Sequence, residues 1–176
     1  MGTEQSKIRH GLETAIRMEN DGKQFYLKAS QSSNNEMGKK LLKSLADEED
    51  SHRQTFEKIY EAVRNKKKWP RVDFHSDGGE RLNTIFAQAA EKMVTNPKTS
   101  TTELDAVKTA MDMENKTYDF YKAQSKAASY DTEKDFYESL AAQERAHHQV
   151  LLDYYEYLKD PAAWFVSQEH PILDGG

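Results

Sequence analysis

Two glutamates and two Glu-x-x-His pairs, repeated at one constant offset, are the residues of this 176-residue chain whose types and spacing could do chemistry. The pattern Ala-x-x-Met-Glu-Asn-x-x-x-x-Phe-Tyr runs from Ala15 to Tyr26 and recurs from Ala110 to Tyr121. Each copy is followed by Ser-Leu-Ala-x-x-Glu-x-x-His, from Ser44 to His52 and from Ser139 to His147, whose glutamate lies thirty residues after the first. A shift of 95 residues therefore superimposes Glu19 on Glu114, Glu49 on Glu144 and His52 on His147. A glutamate and a histidine three residues apart are neighbours on one helix face, so the carboxylate can bridge two ions while the imidazole caps one of them. Four carboxylates and two imidazoles in a duplicated helical frame are the ligand set of a dinuclear metal site. With no cysteine in the chain, the metal must be held by carboxylate and imidazole, which suits iron or manganese.

The setting of these residues argues for the same chemistry. They interrupt stripes of Leu, Val, Phe, Tyr and Ala, and four facing carboxylates without compensating charge are costly to bury. Two divalent cations balance them, each taking one histidine, one terminal glutamate and a share of two bridging glutamates. The competing reading is a degenerate repeat that keeps its carboxylates as a proton-sharing network without metal. Tyr26 and Tyr121, two turns after their glutamates, are placed to donate hydrogen bonds to ligands, to act as redox-active phenols, or to pack. Met18 and Met113 read as packing. His10, His75, His148 and His170 have no partner spacing and read as surface or loop.

Four long helical segments must position this set. The first is expected from about Thr3 to Ser32, where Ser32-Ser33-Asn34-Asn35 stops it and can cap the next. The second aligns Leu41, Leu42, Leu45, Glu49, His52, Phe56, Ile59 and Val63 on one face and ends near Lys66, before Trp69-Pro70. A capping box, Ser100-Thr101-Thr102-Glu103, opens the third, which aligns Leu104, Val107, Met111, Glu114, Tyr118, Tyr121 and Ala128. The fourth starts near Asp131-Thr132, aligns Tyr137, Leu140, Glu144, His147, Leu151, Tyr154 and Leu158, and stops at Pro161. Short polar turns make two antiparallel hairpins. Between them lies a connection long enough to run the length of a helix, with a short helix expected from about Glu80 to Val94 and an end at Asn96-Pro97. The fold class is therefore all-α, a four-helix bundle of two hairpins joined by a long crossover. Residues 1–176 read as a single domain, with the apolar tail 161–176 folded back on the bundle.

Composition excludes several functions. Without cysteine there is no disulfide, thiolate site or iron–sulfur cluster in these residues. No apolar run is long enough to span a bilayer and no signal-like N-terminus is visible, so a soluble, cytoplasmic protein with no membrane partner is expected. Net charge is -5. The one basic run, Arg64 with Lys66, Lys67 and Lys68, reads as a solvated helix end, so no nucleic-acid partner is expected.

These motifs resemble the rubrerythrin branch of the ferritin-like di-iron proteins, over all four helices and in the tail from Asp160 to Gly175. The resemblance implies that Glu19, Glu49, His52, Glu114, Glu144 and His147 ligate two iron ions, with manganese or zinc as substitutes. It also implies an oxidoreductase that reacts with hydrogen peroxide or dioxygen, an external electron donor, and a homodimer. Two features depart from that branch. Thr117 stands where rubrerythrin proper carries an additional carboxylate, and the cysteine-ligated rubredoxin domain that supplies its electrons has no counterpart in a chain without cysteine. The six-ligand set is equally similar to the ferroxidase centre of bacterioferritins, so iron binding or storage is the second expectation. A helical interaction module with a vestigial site is the third.

Overall fold

The computed structural model of the chain describes residues 2–66, 68–90 and 101–169. Among them are six α-helices and no strand: α1 (Gly2–Ser32), α2 (Glu36–Lys66), α3 (Glu80–Ala90), α4 (Thr101–Ala127), α5 (Asp131–Lys159) and α6 (Pro161–Glu169). Helices α1, α2 and α5 fall where periodicity and punctuation place them. Asn35 caps α2 through a bond from the Gly38 N–H to its Oδ1 at 2.6 Å, satisfying one of the orphan donors of the first turn. Ser100 and the expected end of the crossover at Asn96-Pro97 lie outside the described residues. Helix α4 ends at Ala127, so Ala128 lies beyond it rather than on its stripe. The buried stripe of α4 is Glu103, Val107, Ala110, Glu114, Tyr121 and Ser125, with Leu104, Met111 and Tyr118 only half-buried.

Helix α1 packs on α2 and α4 on α5, and the hairpins meet where α1 touches α4. Tyr26 reaches Glu114 and Tyr121 reaches Glu19, so α1 and α4 run antiparallel. Helix α4 therefore runs in the direction of α2, which requires the connection between them to travel the length of the bundle, as its size allows. On the way, α3 packs on α2 and α5. Its turn, Asp77-Gly78-Gly79, has both glycines at positive φ, 64° and 81°, a region open to glycine without steric cost. A Cβ on Gly79 would stand 2.8 Å from the Ala146 Cβ, so glycine also lets the turn approach α5.

Two apolar clusters divide the interior. One gathers Leu41, Leu42, Leu45, Val107, Leu151 and Tyr154 with the half-buried Trp164 and Phe165 of α6, and the other Leu12, Phe56, Ile59, Tyr121, Phe136 and Leu140. Each fully buried Leu, Ile or Phe contributes about 1.5–3 kcal/mol relative to exposure. A buried polar junction ties the hairpins at one end: Glu103 Oε1 accepts hydrogen bonds from Ser33 at 2.6 Å and Tyr154 at 2.7 Å. Pro161 does stop α5, yet it opens α6, a use of proline suited to a first helical position; Asp160 Oδ1 accepts from the Ala163 N–H at 3.0 Å. Of the tail, Trp164 and Phe165 pack on the first cluster, while residues 170–176 lie outside the described part.

Candidate metal centre

Glu19 on α1, Glu49 and His52 on α2, Glu114 on α4, and Glu144 and His147 on α5 meet midway along the bundle, between the two apolar clusters. All six are buried, none more than 4 % exposed. They fall into two sets of four, Glu19, Glu49, His52 and Glu144 in one and Glu49, Glu114, Glu144 and His147 in the other, and within each set one donor atom per residue lies within 4.8 Å of the rest. Glu49 and Glu144 belong to both sets. Each set also holds one histidine and one glutamate of its own.

Antiparallel pairing of α2 with α5 crosses the motifs, so that each imidazole faces carboxylates of both hairpins. His52 Nδ1 lies 3.3 Å from Glu19 Oε2 and 3.4 Å from Glu144 Oε1, and His147 Nδ1 lies 3.1 Å from Glu49 Oε1 and 3.5 Å from Glu114 Oε2. The two rings stack with centroids 5.7 Å apart. Despite these approaches, seven buried donor or acceptor atoms in the cluster make no hydrogen bond: Glu19 Oε2, Glu49 Oε1, His52 Nδ1, Glu114 Oε2, both oxygens of Glu144 and His147 Nδ1. Unsatisfied buried polar atoms each cost about 1–3 kcal/mol. Concentrated on one point and drawn from oxygen and imidazole nitrogen alone, they fit two hard or borderline divalent cations.

The electrostatics show what stands in for that charge when protons alone are present. Burial, and the charges of Glu19 and Glu114, hold the Glu49 carboxyl well above the usual range. Burial, and the charges of Glu49 and Glu114, do the same to Glu144. For His147 burial works against protonation, but the Glu114 charge and the hydrogen bond to Glu48 overcome it and hold the imidazole well above its ordinary value. Burial would also raise Glu114, yet the positive His147 beside it brings it below the ordinary value. Protons thus substitute for cations, and a metal ion must displace them.

Tyr26 donates to Glu114 Oε1 and Tyr121 to Glu19 Oε1, each across to the other hairpin. Burial and the neighbouring glutamates keep both phenols protonated far above their ordinary value, so they are hydrogen-bond donors that orient the terminal carboxylates. Met18 and Met113 are half-buried, and His10 and His75 are exposed, as expected. His148 is half-buried, and His170 lies outside the described residues. Thr117 turns its hydroxyl to the Met113 carbonyl at 3.0 Å. Its counterpart at the 95-residue offset is Gly22, where a Cβ would stand 2.8 Å from Glu49 Oε2; the missing side chain makes room for a shared carboxylate.

Sequence reasoning missed the residues behind the histidines. Glu48 Oε2 accepts from His147 Nε2 at 2.9 Å and from Gln143 Nε2 at 2.8 Å. Phe74 of the crossover sets its ring edge-on to His52 at 5.6 Å. A cleft of about 190 Å³, lined among others by Phe74, His75, Arg81 and Gln143, reaches His52 from outside. Glu48 was detectable, because it precedes His52 by four residues and so shares its face. The crossover residues carry no periodic signal.

A search of curated proteins and a search of solved structures each found no match. No helix among the described residues is long and apolar enough to cross a membrane. A family model described as Rubrerythrin matches residues 11–155, a span that holds both motif copies and all six buried ligand candidates, and the chain belongs to the rubrerythrin family.

Proposed function

We propose that the chain is a non-haem di-iron oxidoreductase that reacts with hydrogen peroxide or dioxygen, a rubrerythrin-like peroxidase whose electrons come from an external donor. The observation that carries this reading is the pair of four-residue sets sharing Glu49 and Glu144, with seven unbonded donor atoms turned into one buried volume. Glu19 and Glu114 would be the terminal carboxylates, Glu49 and Glu144 the shared ones, and His52 and His147 the imidazole ligands. When bound, two iron ions supply two electrons to the oxidant; reduction of one peroxide to two waters takes up those electrons and two protons.

The chain's own groups suit that work. Tyr26 and Tyr121 hold the terminal carboxylates, Phe74 and the crossover shield the His52 side, and the cleft beside His52 admits a molecule of peroxide's size. With no cysteine in these residues, re-reduction requires a separate donor. A single-domain, cytoplasmic homodimer with no nucleic-acid or membrane partner completes the proposal.

One observation favours a second reading, ferroxidase-like iron binding or storage: Thr117 is neutral and bonded to its own helix, leaving the six-ligand set alone. Rapid mixing of the anaerobically prepared ferrous protein separates the two. Faster oxidation by peroxide than by dioxygen is the outcome expected for the peroxidase. Faster oxidation by dioxygen, followed by growth of ferric mineral, would replace it with iron storage, and a protein that takes up no iron would remove both.

A further inference from the structure

The 95-residue offset pairs every candidate ligand with a like residue, but it pairs Glu48 with Gln143. Both are buried. Each precedes a shared glutamate by one residue and a histidine by four, and only one of them is charged. Glu48 Oε2 lies 2.9 Å from His147 Nε2, and Oε1 lies 3.6 Å from an Arg81 nitrogen. An ionised carboxylate can only accept, so the proton of the bond to His147 belongs to Nε2, which leaves Nδ1 facing Glu49 and Glu114.

Gln143 does nothing comparable for His52. Its Nε2 donates to Glu48 and its Oε1 accepts from Ser76 at 2.8 Å. Among the described residues His52 has no carboxylate behind its Nε2; its ring rests against Phe74 and borders the cleft. The tyrosines, by contrast, repeat faithfully, Tyr26 to Glu114 and Tyr121 to Glu19. The tyrosine contacts are thus alike in the two halves, and the surroundings of the histidines are not.

We propose that Glu48 is a positioning residue that makes the two metal positions unequal, so that the set of Glu49, Glu114, Glu144 and His147 holds its ion more tightly than the set of Glu19, Glu49, His52 and Glu144. This rests on the reading of the cluster as a dinuclear metal site. A carboxylate behind a ligating imidazole fixes the ring and raises its basicity, and removal of such a partner typically costs about 10- to 100-fold in metal affinity. Glu48→Gln keeps the shape and an acceptor oxygen and removes the charge, which makes positions 48 and 143 alike.

Anaerobic calorimetric titration of the metal-free protein with cobalt(II) tests this. The parent should show two binding steps whose constants differ by about tenfold or more. In Glu48→Gln the tighter constant should fall toward the weaker one, the weaker should stay in place, and the visible absorption of the first cobalt equivalent should shift. A loss of structure would not weaken one of two adjoining positions selectively. Two equal constants in the parent, or an unchanged gap in the variant, would overturn the role of Glu48 while leaving the dinuclear reading intact; a parent that takes up no cobalt would remove both. Should the variant fail to fold, imidazole N–H exchange in the zinc-loaded parent decides: slow exchange of the His147 Nε2–H beside fast exchange at His52 supports the proposal, and equal exchange overturns it.

Discussion

Raising the pH of the metal-free protein from 6 to 8 should destabilise it. A group with a raised folded-state pKa binds its proton more tightly when folded. The stability it contributes is complete below its unfolded pKa and is lost as pH rises through the folded value. Glu49, Glu144 and His147 are all of this kind. Their unfolded values, about 4.3 for glutamate and 6.5 for histidine, place the onset of loss below or within the window. Groups shifted the other way, such as Glu114, Glu48 and Asp50, contribute stability that is already complete near pH 6, so they do not oppose the slope. Each proton held by the native state and not by the unfolded one is worth about 1.4 kcal/mol per pH unit. One such proton on average across the coupled cluster gives a loss of about 3 kcal/mol over two units. For a chain of this size that lowers the melting temperature by about 6–12 °C. Thermal melts of chelator-treated protein at pH 6, 7 and 8 measure it, with Glu49→Gln as the control that should flatten the slope. Metal should reverse the trend, because ions bind by displacing those protons and bind better as pH rises. A metal-free melting temperature that is flat or rises between pH 6 and 8 would refute the argument that protons stand in for cations.

Four substitutions probe the surroundings of the cluster. Tyr26→Phe leaves a buried Glu114 oxygen without its donor and should cost about 1–3 kcal/mol in denaturant unfolding of the metal-free protein; Tyr121→Phe should cost a similar amount through Glu19, and no loss in either would show that these contacts carry no energy. Gly22→Ala improves helix propensity by up to about 1 kcal/mol, yet its Cβ would crowd Glu49 Oε2, so the melting temperature should hold while metal affinity falls about tenfold; unchanged affinity in a metal titration would contradict this. Thr117→Glu puts a carboxylate one turn after Glu114 on the same helix face, and the ratio of ferrous oxidation rates with peroxide and with dioxygen should rise in rapid mixing, an unchanged ratio denying Thr117 any mechanistic weight.

The buried carboxylate and imidazole cluster was legible because a helix converts spacing into direction: Glu49 with His52 and Glu144 with His147 declare their faces, and the constant offset ties the two copies together. Buried stripes in α2 and α5 were legible for the same reason, since every aligned residue there is buried. Helix α4 was harder to read, because small residues such as Ala110 and Ser125 fill its buried face while larger ones such as Tyr118 stay half-exposed. Glu103 shows the limit of local motifs. Its spacing from Ser100 suggests a cap, but its Oε1 joins Ser33 in the turn between α1 and α2 and Tyr154 on α5, a tertiary contact that no local pattern encodes. Phe74 and Ser76 reach the surroundings of the centre from the irregular part of the crossover, where sequence sets no direction for a side chain, and Arg81 reaches Glu48 from the first turn of α3.

The number of iron ions held per chain decides whether the centre is dinuclear. Metal-free protein reconstituted with ferrous iron under anaerobic conditions, desalted and analysed for iron and protein, should retain about two ions per chain. Glu144→Ala, which removes a residue common to both sets, should retain fewer than one. Retention of a single ion or none by the parent, or two ions in the variant, would contradict a dinuclear centre built on shared carboxylates.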